Sequence, residues 1–409
     1  MISRDLLDRV RCPACRGPLD GDALQLVCRS CGTRYPGTSQ DFLDLRPRER
    51  FEEQTKYLDE ALHADARYQR VSPPFLGSKI RNDMLRAFLA PAPGDRLVDL
   101  GCGSGRALLW NRDWGARAVG VDIAPFFADE ARQTIDLMLG DLRRLPFADA
   151  TFQKAFSLDV LEHLSPEALR GMLAEAARVL APGGTLFVYT HVRRNARIAI
   201  GLRWINRLAE RLDRAGLIDL RQEHLRKSDH LNPLADIPEL RRVAAACGFR
   251  IARIRYYTPI VGGFVENVLM RLAEKRLADG AKGANGAKGA KGAGAKGANG
   301  AKGAGAEGAS GAKGAGAKGA TAAEGASGAK GAGATGAEGA LVSDEEALKA
   351  ARAEGKRRVA ESGATRAVLH LLTAAMKLDL LLFGRIESGP FFALLERVPP
   401  ASTDPAGDA

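Results

Sequence analysis

Apolar residues along this 409-residue chain change period repeatedly, and each change marks an element. Leu97 to Leu100 and Ala118 to Val121 are short, nearly unbroken apolar runs edged by glycine, the pattern of strands buried on both faces. Ile135 to Gly140, Phe152 to Leu158, Thr185 to Thr190 and Ile251 to Tyr257 repeat that pattern. Between them, residues 77–90, Ser165 to Leu180 and Pro238 to Cys247 place apolar residues at helical spacing. Ser165 suits an N-cap, Pro166 the first helical position and Gly248 a helix stop. Strands that alternate with helices predict an α/β fold, a doubly wound and mostly parallel sheet with helices on both faces. Ligands of such sheets bind beyond the carboxyl ends of the strands.

The regions around this core read differently. Residues 193–232 interrupt the alternation as a cap segment, with Ile198, Leu202, Ile205, Leu208 and Leu212 on one helix face and Arg197, Arg203, Arg207, Arg211 and Arg214 opposite. Residues 279–340 are Gly-Ala-Lys, Gly-Ala-Asn and Gly-Ala-Glu triplets without proline and with a broken period, which excludes a collagen helix. So little apolar area cannot offset the entropy of ordering, and this stretch reads as a disordered loop. Helices are expected again over 341–398, with Ala367 to Phe383 strongly apolar, Asp379 on its apolar face and an apolar patch at Pro390 to Leu395; residues 399–409 read as a tail. The buried acid would need a partner such as Arg385 or a substrate group. The net charge of +11 is local: 280–340 holds eight Lys and three Glu, 193–227 holds ten Lys or Arg and four acids, and the remainder is neutral. High pI therefore says little about nucleic acid binding by the whole chain.

Cysteine usage points to a metal. Cys12 and Cys15 form one C-x-x-C pair and Cys28 and Cys31 another, so two tight turns can complete a tetrahedral Cys₄ zinc site. Residues 1–45 are too short for a core of their own, and a structural zinc would supply the missing stability. Leu24 to Val27 and Arg34 to Pro36 read as its strands, while Cys102 and Cys247 read as ordinary thiols.

The second chemical signal follows the first core strand. Gly101, Gly103 and Gly105 alternate there, where a bare backbone can approach a nucleotide. Asp99 lies just before them, and the next strand ends in Asp122, at the spacing that grips ribose hydroxyls. The pattern lacks a pyrophosphate fingerprint. Together with Gly140, Asp141 and Leu142, the corner Asp159 to His163 and the run Leu180 to Leu186, it resembles class I S-adenosylmethionine-dependent methyltransferases of the type 11 group. Residues 1–45 resemble a Trm112-like zinc ribbon. The resemblance implies a Rossmann-like domain over 46–278. It assigns Asp99, Gly101, Gly103, Gly105, Asp122, Ile123, Asp141 and Leu142 to the cofactor, with Asp99 toward the methionine end and Asp141 toward adenine.

The acceptor is harder to read, because an activated methyl donor asks mainly for approach geometry and water exclusion. His163 can act as a base on a hydroxyl and His230 can roof the site. Asp159, Glu162 and His163 are also similar to a metal-binding cluster of ubiquinone O-methyltransferases. The expectation is a small or lipid-like acceptor methylated at oxygen or carbon. The alternatives are ribosomal or transfer RNA, and a non-catalytic cofactor-binding scaffold. With no leader peptide and no spanning run, the chain reads as cytoplasmic, with weak peripheral contact with an anionic membrane through its basic cap.

Overall fold

The computed structural model describes residues 2–22, 24–36, 41–47, 71–193, 200–220, 230–231, 233–257, 260–273, 275–276 and 363–399. The low-complexity loop, the charged stretch at 49–70 and the tail at 400–409 lie outside them, as do Arg197 and Ile198 of the cap. The chain divides into two compact units, Met1–Ala273 with Arg357–Ala409, and Glu274–Lys356. The ribbon and the sheet both belong to the first.

The N-terminal segment opens with helix α1 (Arg4–Arg9), capped by Ser3. It continues into an antiparallel ribbon of β1 (Leu19–Asp22), β2 (Gln25–Cys28) and β3 (Arg34–Pro36). A two-residue strand, β4 (Leu43–Asp44), leaves the ribbon and joins the edge of the main sheet, parallel to β7 (Asp136–Leu139). The core elements follow the expected alternation. They are α2 (Leu76–Leu89), β5 (Arg96–Leu100), α3 (Arg106–Trp110), β6 (Arg117–Asp122), α4 (Asp129–Thr134), β7, β8 (Phe152–Leu158), α5 (Pro166–Val179) and β9 (Leu180–His191). Next come the cap helix α6 (Ile200–Arg214), α7 (Ile237–Ala246), β10 (Phe249–Tyr256) and a helical turn α8 (Val261–Phe264) that runs on as a π turn over Val265–Leu269. Helix α9 (Gly363–Phe383) and strand β11 (Pro390–Arg397) complete the described chain.

The sheet has eight strands in the order β10-β11-β9-β8-β5-β6-β7-β4. From β4 to β9 every pairing is parallel, while β11 is antiparallel to both β9 and β10. Alternate strand residues supply two cores. Val98, Leu100, Val121 and Met138 pack with α1, α5 and α7 on one face. Leu97 and Phe187 pack with α2, α3 and α9 on the other.

Two expectations about the C-terminal region need correction. Residues 390–397, expected within a run of helices over 341–398, form β11, a strand in the sheet interior. Phe391, Phe392, Ala393 and Leu395 are fully buried there, so they form no exposed apolar patch. Phe392 stacks on Phe187 with ring centroids 6.0 Å apart. The methyltransferase domain therefore does not close at residue 278, because its antiparallel strand arrives more than a hundred residues later. Asp379 is also paired differently: one carboxylate oxygen accepts from the backbone N–H of Ile260 (3.2 Å) and Gly262 (3.1 Å), which ties α9 to the start of α8.

The ribbon is docked onto the sheet domain as well as tethered to it. The Ser3 N–H donates to Asp136 (2.8 Å), the Arg11 N–H donates to the Pro146 carbonyl (2.9 Å), and Arg16 pairs with the buried Glu175 (3.0 Å). Leu6, Val10 and Cys12 share one buried cluster with Phe147 and Phe152.

Candidate active site and zinc ribbon

In the ribbon, the Cys12 and Cys31 sulfurs stand 3.7 Å apart and those of Cys15 and Cys28 3.4 Å. All four lie within 4.8 Å of one another. Tetrahedral zinc with bonds near 2.3 Å sets its sulfurs about 3.8 Å apart, so the four thiols fit one ion. The N–H groups of Ser30 and Cys31 point at the Cys28 sulfur (3.4 and 3.5 Å), which stabilises thiolate. The Thr33 hydroxyl at Cys31 holds that thiol down to about 6. Buried Cys12 contacts the Tyr35 hydroxyl at 3.1 Å. With four protein ligands the zinc is structural.

On the sheet, β5 is the switch point from which the order runs outward in both directions. The loop after it takes positive φ at Gly101 (83°), Gly103 (53°) and Gly105 (77°), the left-handed region that glycine tolerates. These glycines serve different ends. A Cβ on Gly101 would lie 2.4 Å from Val160 and one on Gly105 2.8 Å from Ala131, whereas one on Gly103 would meet only open space. The first and last let the loop pack, and Gly103 leaves the cradle bare.

Asp122, at the end of β6, accepts from the Gly103 N–H (2.7 Å) and the Ala124 N–H (3.0 Å), so it shapes the cradle it faces. Burial raises its carboxyl, partly offset by those two donors and the Ile123 N–H. Asp99 is buried beneath the loop; desolvation, then repulsion from Asp122, pushes its carboxyl well up. Two acids this close beneath the loop disfavour an anionic pyrophosphate there and suit a cationic ligand end. Asp141, after β7, is buried, and its carboxylate is clasped by Arg143 (3.0 Å) and accepts from the Arg143 N–H (2.8 Å). Ile123 and Leu142 are half-buried beside these two acids.

The corner after β8 adjoins the glycine loop through Val160. Asp159 there has a left-handed φ of 57°. His163 packs edge-on against His230 with ring centroids 4.6 Å apart, so these two expected residues are brought together. His191, at the end of β9, joins them, with its ring 6.2 Å from that of His230. The Nδ1 of His191 lies 3.4 Å from the buried Glu162, which also accepts from the Thr190 hydroxyl (2.8 Å). Burial alone would raise the Glu162 carboxyl, but the His191 ring and the Thr190 donor outweigh it, and the group ends below its ordinary value. The ligand atoms of Glu162, His163 and His230 lie within 4.8 Å of one another, so the cluster that can move a proton can also hold a cation.

Sequence reasoning missed the opposite wall of this corner. Arg81 of α2 lies 3.9 Å from Asp159, with its guanidinium 5.3 Å from the Tyr189 ring centroid. Tyr257 donates to Glu266 (2.8 Å), and Gly77 makes room for that pair, since a Cβ there would fall 1.8 Å from the Glu266 carboxylate. Burial disfavours the Arg81 cation, yet Asp159, Tyr189, Tyr257 and Glu266 outweigh it and keep Arg81 firmly charged. Tyr189 and His191 did have a signal: two polar-tipped residues in alternate positions at the carboxyl end of a strand.

Fold and site together define a class I, Rossmann-like methyltransferase architecture behind a zinc ribbon. The family comparison agrees: residues 98–188 match the methyltransferase domain family and residues 3–36 the Trm112p-like protein family. The chain carries a class I methyltransferase domain fused to a Trm112-like ribbon. It is 38% identical over 101 residues to malonyl-[acyl-carrier protein] O-methyltransferase of Serratia marcescens, covering 24% of this chain and 39% of that one. It is 33% identical over 134 residues to the Mus musculus protein named "Probable tRNA methyltransferase 9B", covering 32% and 30%. The chain thus spans well under half the length of either relative. A solved complex of the Haloferax volcanii Trm112 methyltransferase activator with a methyltransferase aligns at a TM-score of 0.35 and 23% identity, over 50% of this chain and 80% of that one.

Proposed function

We propose that the chain is an S-adenosylmethionine-dependent methyltransferase acting on oxygen or carbon of a small or lipid-like acceptor. One observation carries the reading: Gly101 of the cofactor loop abuts Val160 of the histidine corner, so the cofactor cradle and a set of proton-accepting side chains share one wall. S-adenosylmethionine supplies an electrophilic methyl group on a sulfonium. Asp99, Asp122 and Asp141 hold its ends, and Gly103 admits it. His163 and His230 take the proton from an acceptor hydroxyl, with the Glu162–His191 pair behind them. Tyr189 and Tyr257 present aromatic walls, and Arg81 presents a cation to an anionic substituent of the acceptor.

Transfer RNA is the second reading, favoured by the tRNA methyltransferase among the relatives. Incubating the protein with methyl-labelled cofactor and separated lipid, small-molecule and RNA fractions from its host decides between them. Label in lipid or small molecules, lost in His163→Ala/His230→Ala, is expected. Label confined to RNA would overturn the acceptor assignment, and no label in any fraction, with cofactor bound, would favour a scaffold.

A further inference from the structure

Two outward helix faces carry apolar surface that the fold does not use. Helix α9 turns Leu369, Leu372, Met376 and Leu380 onto the domain. Its opposite face leaves Leu371 (72%), Leu381 (79%) and Leu382 (62%) exposed, with Val368 and Leu378 in the same stripe. The wide apolar face expected of this helix is thus split, half inward and half outward. Helix α6 buries Ile205, Ala209 and Leu212, and turns Trp204 (59% exposed) outward among Arg203, Arg207, Arg211 and Arg214. The Arg207 guanidinium lies 5.7 Å from the Trp204 ring centroid. Both helices pack against α8, and Phe264 of that turn and the preceding Ile260 are themselves exposed. The two helices thus flank one short turn that is itself partly exposed.

Charge identifies the occupant. The α9 stripe lies between exposed Arg366 and Arg385, and the one acid of that helix, Asp379, is buried and spent on backbone N–H groups. The outward face of α6 sets Arg207, Arg211 and Arg214 against the single Glu210. A second copy of the chain would bring arginine against arginine with few acids to answer them. A polyanion such as RNA would match the arginines and leave the bare leucines in water. An anionic bilayer satisfies both: basic side chains meet headgroups, while leucine and tryptophan enter the acyl boundary. No helix among the described residues is long and apolar enough to cross a membrane, so contact through α9 would be interfacial and not spanning.

We propose that the outward faces of α6, α8 and α9 dock this domain onto an anionic lipid bilayer. The proposal deepens the lipid-like acceptor reading but rests on surface alone, so the two can fail separately. The test is sedimentation of the full chain with vesicles of phosphatidylcholine alone and of phosphatidylcholine with phosphatidylglycerol, at low and high salt. Anionic vesicles should retain much more protein, with high salt reversing most of the gain. A basic residue near such a surface contributes about fivefold in partitioning, so Arg207→Glu/Arg211→Glu should lose at least about tenfold. Leu378→Ser/Leu381→Ser should also weaken binding, and unchanged S-adenosylhomocysteine affinity would show each variant folded. Equal sedimentation with both vesicles overturns the proposal. So does a dimer in light scattering that the leucine variant dissolves, or bound RNA that the arginine variant releases while vesicles recover nothing. Vesicle binding without cofactor binding would leave the docking in place and remove the methyltransferase reading.

Discussion

Asp99 and Asp122 share one small volume beneath the glycine loop, and that crowding gives the cofactor site a testable pH dependence. The Asp99 carboxyl is raised by burial and by Asp122. A group with a raised folded pKa favours the folded state below its unfolded value, near 3.9, and that contribution is lost as pH rises through the raised value. A sulfonium above the pair compensates the charge that ionisation creates. S-adenosylmethionine should therefore gain affinity over neutral S-adenosylhomocysteine as pH rises through that window, and Asp99→Asn should flatten the trend. A ratio that stays constant with pH in the native protein would place the sulfonium elsewhere. Asp122→Ala should weaken S-adenosylhomocysteine by about ten- to hundredfold, since charge-assisted hydrogen bonds contribute roughly 1.5–3 kcal/mol. Asp122→Asn should recover part of that loss, because an amide oxygen still accepts from Gly103. Unchanged affinity in titration calorimetry of the alanine variant would move the ribose away from Asp122. These acids and glycines were legible in the sequence because they sit within a few residues of strand ends, where spacing alone implies a turn. Arg81, Tyr189, His191 and Glu266 come from three separate segments, α2, β9 and the π turn, and only tertiary packing brings them together.

The same contrast between local and distant information holds for the elements. The parallel strands could be read because each is a short apolar run beside its own helix. The segment Phe391 to Leu395 is equally apolar, but a run that short fits a buried helix or a buried strand, and periodicity does not separate the two. What decides is the open slot between β9 and β10, where Phe391 pairs with Thr190 on one side and Tyr256 on the other. A strand in that slot has no solvent face. Phe392→Asp would put an unpaired carboxylate among Phe187, Tyr189 and Tyr257, and burying such a charge costs several kcal/mol. Termination after residue 361, which leaves every recognised motif intact, removes α9 and β11 and exposes the ladder edge of β9. Both variants are expected to be insoluble or to lack a cooperative melting transition by circular dichroism. If the truncated chain melts like the native one and binds S-adenosylhomocysteine, β11 contributes little to the domain, contrary to its burial.

At the scale of the whole molecule, the ribbon and the sheet domain are joined by their cores. Cys12 is at once a zinc ligand and a member of the cluster that contains Leu6, Val10, Phe147 and Phe152. The ribbon strands are too short to hold Cys12 in place without the metal, and structural zinc contributes on the order of 10–16 kcal/mol in small zinc modules. A typical domain has a net stability of about 5–15 kcal/mol, so loss of the ion removes a term as large as the whole balance. The sheet should feel that loss through two routes: the shared apolar cluster, and the hydrogen bonds from Ser3 to Asp136 and from Arg11 to Pro146. The protein as purified should hold one zinc per chain, and heating should release it, read by a colorimetric chelator, in the same transition that melts the sheet. Cys28→Ser/Cys31→Ser should bind no zinc, melt tens of degrees lower or without a cooperative transition, and bind S-adenosylhomocysteine more weakly, although neither cysteine lies at the cofactor cradle. Two separate transitions, with the sheet unchanged after zinc is lost, would show that the ribbon is an appendage and that the shared cluster contributes little to stability.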